Sequence, residues 1–236
     1  LIDSAAQNHS DYQRINNTVA HEETPGKSGF TGVSPLERLA HVGYTFTGGY
    51  AYGEVISASS SASGQYLAEE LITAIYHRFV IFEPKFKEIG AGAANSNGYY
   101  YLTVNFTSNN GYPPGLGLGQ VATWPVSGQT NVTRNFFSDF ESPDPVDGAN
   151  EVGYPVSVHA DINVTLSVSS FTIRPHGGSD LSVKLLAPNS DPHTPASAAA
   201  IVPLAVLGRN TTYDVSFAGA INGVPLTRTW SFTTAP

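Results

Sequence analysis

The chain has 236 residues, of which 41% are hydrophobic and 11% aromatic, so it holds enough apolar material for one large or two ordinary packed domains. Charged residues make up only 13% of the chain, against roughly 25% in an average soluble protein. The net charge of −8 comes without any Lys/Arg cluster. A phosphate-backbone partner would therefore find little to bind, and neither nucleic acid nor an anionic membrane surface is expected as a partner.

Cysteine is absent, which excludes disulfide bonds, thiolate catalysis and a Cys-ligated zinc. No apolar run approaches the roughly 18 residues of a transmembrane helix. The first ten residues, LIDSAAQNHS, lack the basic and apolar regions of a signal peptide. If the protein is exported, we therefore expect this chain to be the mature form, secreted, periplasmic or at the cell surface, with its signal peptide removed.

Helix signals dominate the first part of the chain. Apolar residues at helical spacing predict a first helix over residues 1–17, with His9 on its buried face. The run Ser-Pro-Leu-Glu at 34–37 predicts a helix that starts with a capping box, and Gly43 ends it. A third helix is predicted over 64–78. Its buried stripe is expected to consist of Leu67, Leu71, Ile72 and Ile75.

Strand and turn signals follow. Residues 86–93 and 99–107 flank an Asn-Ser-Asn-Gly turn, which predicts a β-hairpin. Residues 108–119, SNNGYPPGLGLG, are rich in Gly, Pro and Asn and have no hydrophobic periodicity. We therefore expect one domain over 1–115 and a second over 116–236, the second beginning with a linker.

The second half lacks helix signals. Its stretches alternate like half-buried strands, and Asn222-Gly223 predicts a tight hairpin turn. Several short strands separated by turns are typical of a β-sandwich of about a hundred residues.

Four of the seven histidines, His9, His21, His41 and His77, fall in the first third of the chain. They lie among short motifs in a characteristic order. These motifs are A-x-x-H-S-x-Y at 6–12, H-E-E at 21–23, G-F-T-G at 29–32 followed by Arg38, G-Y at 43–44, G-E at 53–54, H-R at 77–78 and E-I-G-A-G at 88–92. Over residues 1–107 this order resembles the bacterial branch of the CAP superfamily, also called SCP-like or cysteine-rich-secretory-protein domains.

The resemblance implies an α-β-α sandwich with a shallow cleft lined by His and Glu side chains. Transferred by position, His21 is the first cleft histidine, Glu54 the glutamate of the family's Gly-Glu-Asn motif, and His77 the second cleft histidine. Three positions depart from the family pattern. The asparagine of the Gly-Glu-Asn motif is Val55 here, and a second cleft glutamate of many members would fall near Ala74. The third is Leu71, where bacterial members have a Trp before the H-R motif.

Two interpretations of these cleft residues stay open from the sequence. In the first, His21 and His77 ligate a divalent cation, zinc being the first candidate, and Glu54 orients a ligand or acts as a catalytic base on bound water. In the second, the three residues form a hydrogen-bonded cluster that ties a loop to a helix. Neither an H-E-x-x-H motif nor the spacing of a known catalytic triad is present, and no other cofactor is implied.

The second domain resembles bacterial immunoglobulin-like modules of the SbsA type, through the W-x-F-x-T strand at 230–234 and the segment at 207–213. The expected fold class is thus α+β, a CAP-like sandwich followed by an all-β immunoglobulin-like sandwich. The leading functional hypothesis is an exported bacterial CAP-domain protein whose cleft binds a divalent cation and a small-molecule, lipid or peptide ligand at the cell envelope. The alternatives are a metal-assisted, protease-like hydrolase and a structural or adhesion module whose β-sandwich contacts a cell-envelope partner.

Overall fold

The computed structural model describes all 236 residues, and the chain divides into two compact units. The first unit comprises 1–72 and 85–115, and the second comprises 73–84 and 116–236. The step from one unit to the next after residue 115 lies where the sequence predicts a boundary. The segment 73–84 lies within the expected first domain, 1–115, but it belongs to the second unit. No helix has the length and apolar character needed to cross a membrane.

The first unit contains three helices and one antiparallel sheet. The helices are α1 (Ile2–Asn16), α2 (Pro35–His41) and α3 (Gly64–Thr73). The strands are β1 (Ala51–Ser59), β2 (Glu88–Ser96) and β3 (Tyr99–Ser108), in the order β1-β3-β2. The predicted hairpin is confirmed as β2–β3, and its turn residues Asn97 and Gly98 have φ values of 52° and 79°.

Helix α1 packs directly on strand β2, and two glycines allow the close approach. A Cβ atom at Gly92 would lie 2.1 Å from the backbone nitrogen of Gln7, and one at Gly90 would lie 2.4 Å from that of Asp3. The Gln7 side chain also bonds both the N–H and the carbonyl of Ala93 on this edge strand. The helix therefore covers the edge of the sheet, which protects it from pairing with other chains.

The sheet carries helices on both faces. On one face, Ser10 of α1 donates to the Thr103 hydroxyl of β3 at 3.0 Å. On the other, Ser57 of β1 donates to Glu70 of α3 at 3.1 Å. Thr103 pairs with Ile56, the neighbour of Ser57, and successive side chains of a strand point to opposite faces. The first unit is thus layered α-β-α, as the CAP resemblance implies.

The predicted third helix over 64–78 is wrong as a single element. It consists of α3 and a separate helix α4 (Ile75–Ile81), because Ala74 between them has an extended conformation with ψ of 120°. The backbone N–H groups of residues 75–77 donate to the carboxylate of Glu141 instead of to carbonyls of the preceding turn. A distant side chain therefore replaces the helical bonds that would have joined α3 to α4.

The second unit is built from nine strands and α4. The strands are β4 (Ala122–Trp124), β5 (Asn135–Phe137), β6 (Glu151–Gly153), β7 (Val156–His159), β8 (Leu166–Pro175), β9 (Val183–Leu186), β10 (Ala198–Pro203), β11 (Thr212–Ile221) and β12 (Val224–Thr233). They form three antiparallel sheets, ordered β4-β7-β10-β9, β12-β11-β8 and β5-β6. Asn222 and Gly223, with φ values of 49° and 81°, connect β11 to β12 and confirm the predicted turn.

Two cores hold the second unit together. The larger joins the four-stranded and three-stranded sheets, since Val158 and Ile201 of one pack with Phe217 and Phe232 of the other. The two sheets thus enclose a common apolar layer. The smaller core holds α4, because Ile75 is fully buried against a cluster drawn from the second unit. That cluster includes Phe79, Phe136, Val146, Val152, Leu186, Ala198, Ala200 and Val202.

Candidate functional site

The centre of the candidate site is a contact between His21 and Glu54 in the first unit. Glu54 lies in β1, and His21 lies in the loop between α1 and α2. The Nδ1 atom of His21 is 3.0 Å from Oε1 of Glu54. The two side chains differ sharply in exposure, with 52% of the histidine accessible and only 1% of the glutamate. The pair therefore joins a surface imidazole to a buried carboxylate.

Arg38 supports this pair from α2. The capping box at Ser34 and Glu37 starts the helix, and Arg38 is the next residue, with its side chain completely buried. Its Nη2 donates to both oxygens of Glu54, at 2.7 and 2.6 Å. Its Nη1 donates to the backbone carbonyl of His21 at 2.8 Å. One guanidinium thus holds both the carboxylate and the main chain of the histidine.

His9 supports the same loop from α1, where it is fully buried. Its Nδ1 lies 2.9 Å from Oε1 of Glu23, and its Nε2 lies 2.9 Å from the carbonyl oxygen of Ala20. An ionised carboxylate and a carbonyl can only accept hydrogen bonds, so each ring nitrogen must carry a hydrogen. The geometry thus indicates the imidazolium form of His9. A second carboxylate oxygen, Oε1 of Glu54, lies 3.9 Å from Nε2.

Both buried glutamates are held in their charged form. Burial by itself would raise the pKa of Glu54, but the hydrogen bond from His21 and the charges of Arg38 and His9 outweigh it and lower that pKa. Burial likewise opposes the ionisation of Glu23, yet the hydrogen bonds from His9 and from the N–H of Thr31 bring its pKa below the usual range. Two carboxylates and two cations therefore neutralise one another inside the first unit.

These contacts fix His21 at three points. The carbonyl before it, that of Ala20, is bonded by His9, its own carbonyl by Arg38, and its Nδ1 by Glu54. Since an ionised Glu54 can only accept, Nδ1 carries the hydrogen, and in the neutral ring the lone pair is on Nε2. No hydrogen bond of the protein occupies Nε2. The loop thus presents an oriented acceptor atom at the surface.

His77, the third predicted cleft residue, belongs to a different cluster. It lies in α4 of the second unit, and its Nδ1 is 2.9 Å from Oε1 of Glu141. The neighbouring Arg78 is completely buried, and it donates to the carbonyl of Pro155 at 2.7 Å. Of the three predicted residues, the structure brings His21 and Glu54 together and places His77 with Glu141.

The donor atoms at His21 do not fit a resident zinc. Structural and catalytic zinc sites use three or four protein ligands, whereas this cluster offers the single nitrogen Nε2, because both oxygens of Glu54 already accept hydrogen bonds from Arg38 or His21. No group of three or more His, Cys, Asp or Glu side chains is arranged to hold a metal ion.

Three supporting residues of this site were not predicted as site members from the sequence. Arg38 and Glu23 appear within the motifs, but no local pattern shows that both turn inward to the same cluster. His9 was expected to be a structural residue on the buried face of its helix. What the three residues share is a polar or charged side chain that is buried in the fold. The sequence does not show that these three side chains lie close together, so it could not identify them as parts of one site.

Comparison with known protein families finds a match in the first part of the chain. Residues 2–107 match the CAP family model, described as the cysteine-rich secretory protein family. The match covers less than half of the chain and shows that this segment is similar to CAP domains. It includes the segment 73–84, which packs in the second unit. No curated protein matches the chain.

Proposed function

We propose that the CAP domain of this chain is a ligand-binding domain and that Nε2 of His21 is its contact atom. One observation carries the proposal. Three fully buried side chains, those of His9, Arg38 and Glu54, fix the backbone and the ring of a histidine that is itself half exposed. Folding does not require a surface side chain to be oriented in this way, whereas a binding site needs its contact atoms preorganised.

Binding fits the geometry better than hydrolysis. A general base at neutral pH works best with a pKa near the working pH. Glu54 has a lowered pKa, and both of its oxygens accept hydrogen bonds from Arg38. Its role in the proposed site is therefore to orient His21 and not to take a proton from bound water.

The proposed ligand presents either a hydrogen-bond donor or a divalent cation to His21. Both are recognised by the lone pair of a neutral imidazole. Since the protein supplies one nitrogen here, a cation at this point would exchange readily and complete its coordination with water or with the ligand itself. Small-molecule, lipid and peptide ligands all remain candidates for the larger partner.

We also propose that the protein acts outside the bacterial cytoplasm, at the cell envelope, and that the second unit is an immunoglobulin-like module. The low charged fraction of 13% supports an extracytoplasmic β-rich protein. Antiparallel sheets of four and three strands around a common core support the second part, since this is the strand number of the constant-type immunoglobulin sandwich.

Zinc titration followed by NMR of the histidine rings tests the His21 proposal, with Zn²⁺ as a probe of an oriented lone pair. His41 is the matched control, because it is an exposed histidine of the same unit at the end of α2. We expect the His21 ring signals to shift at lower Zn²⁺ concentration than those of His41. His21→Ala should remove this first binding event, and His41→Ala should leave it unchanged. Parallel shifts of the two histidines would mean that His21 is an ordinary surface residue.

A further inference from the structure

Glu141 has an unusual set of contacts in the second unit. It follows a short 3-10 segment, Ser138–Phe140, and its side chain is fully buried. Its Oε2 accepts from the backbone N–H of Ile75 at 2.8 Å. Its Oε1 accepts from the backbone N–H groups of Tyr76 and His77 at 2.7 and 3.1 Å, and it lies 2.9 Å from Nδ1 of the His77 ring.

These contacts determine which nitrogen of His77 carries the hydrogen. Three of the four partners of Glu141 are backbone N–H groups, which can only donate, so the carboxylate accepts from all of them. The same oxygen then accepts from Nδ1–H of His77, and the neutral ring has its lone pair on Nε2. The His77 side chain is 18% exposed, so the ring is mostly enclosed but not sealed from solvent.

We propose that Glu141 is the positioning residue of His77, which it holds in the Nδ1–H tautomer with Nε2 available to a ligand. The arrangement repeats that of His21, where the buried Glu54 accepts from Nδ1 and leaves Nε2 free. The ligand role of His77 rests on the proposed function. The tautomer does not, because it follows from the contacts of Glu141 alone.

The second unit supplies the carboxylate that orients a histidine of the CAP match. The CAP match ends at residue 107, so the residue that orients His77 lies outside the matched segment, 64 positions along the chain from it. A carboxylate that served only as a helix cap would need no contact with the imidazole. The second unit therefore supplies a positioning residue to a histidine of the CAP segment, and it is more than a spacer.

Long-range ¹H–¹⁵N NMR of the His77 ring tests this in the ligand-free 236-residue chain. In the wild type we expect a hydrogen on Nδ1 and an unprotonated Nε2. Glu141→Leu removes every acceptor and should abolish the preference for this tautomer. Glu141→Gln retains one acceptor oxygen and should preserve the preference in part. Asp139→Asn, an exposed carboxylate two residues away, is the matched control and should leave His77 unchanged.

Two results would overturn the assignment. The first is a wild-type His77 ring with its hydrogen on Nε2 and none on Nδ1, a measurement that does not depend on whether any variant folds. The second is an unchanged Nδ1–H tautomer in a Glu141→Leu protein whose tryptophan fluorescence shows a native second unit, since Glu141 would then act only as a cap. Neither result bears on zinc binding at His21, so failure of this assignment is distinct from failure of the proposed function.

Discussion

Glu23 and Glu54 are the residues on which the stability of the candidate site depends. Each is buried with a cation, and the pKa of each is lowered by hydrogen bonds and nearby positive charge that outweigh the effect of burial. A carboxyl group whose pKa is lower in the folded than in the unfolded state contributes stability above its unfolded pKa. That contribution is lost as the pH falls through the folded pKa.

The first unit should therefore unfold more easily in acid, and Glu54→Gln should weaken that dependence. We expect stability to fall as the pH drops below the unfolded carboxyl value of about 4.3. At neutral pH the substitution removes the buried negative charge that pairs with Arg38 and should cost about 3–5 kcal/mol. Urea unfolding monitored by circular dichroism between neutral and acidic pH measures both effects.

The control for this substitution is Glu22→Gln, which removes an exposed carboxylate next to Glu23 in the same loop. It should change stability by no more than about 0.5 kcal/mol. If Glu54→Gln were equally mild, Glu54 would be solvated in solution and would not form the buried ion pair.

At the scale of elements, the position of α1 on the sheet depends on backbone contact. The Ser10 and Gln13 side chains reach Thr103 only because α1 lies against β2 at Gly90 and Gly92. His9 is carried to Glu23 and Ala20 by the same helix. The geometry of the candidate site is therefore linked to how closely this helix can approach the strand.

Gly92→Ala should disrupt that approach, because the added Cβ would lie 2.1 Å from a backbone nitrogen that cannot move independently. Overpacking of this kind typically costs about 1–3 kcal/mol or more. Gly64→Ala is the matched control, since a Cβ there meets nothing within 4 Å and Ala favours the start of α3. Thermal unfolding should show a lowered midpoint for Gly92→Ala only. Equal midpoints for the two variants would show that α1 does not rest on β2 as described.

At the scale of the whole molecule, one chain segment belongs to a different unit from the residues on either side of it in the sequence. Residues 73–84 lie between segments of the first unit in sequence, but their apolar side chains pack in the second. A fragment of 1–115 would retain α4 without its core, and a fragment of 116–236 would lack it. Division of the chain at residue 115 therefore separates α4 from the residues that bury it.

Tryptophan fluorescence can establish which unit α4 stabilises, since both tryptophans, Trp124 and Trp230, lie in the second unit. Ile75→Ala removes a fully buried side chain and should lower the stability reported by fluorescence by about 2–5 kcal/mol. Leu39→Ala removes an equally buried side chain from the core of the first unit and should leave that signal nearly unchanged. A fluorescence transition that shifted with Leu39→Ala and not with Ile75→Ala would assign α4 to the first unit.

The sequence alone determined the features whose physical cause lies within a few residues. Helical periodicity located α1, the capping box located the start of α2, and Asn-Gly turns located the hairpins at 97–98 and 222–223. The ordered motifs also selected His21 and Glu54, which the structure places in contact.

Only the tertiary structure decided the break at Ala74, the unit to which α4 belongs, and the partner of His77. The apolar stripe through Ile75 continues that of α3, so nothing local marks the end of that helix. The break occurs because Glu141, 66 residues further along the chain, satisfies the N–H of Ile75, and because the apolar face of α4 finds its core among strands of the second unit. The imidazolium form of His9 also depends on tertiary structure. Both acceptors of its ring nitrogens are supplied by a loop that folds back onto the helix.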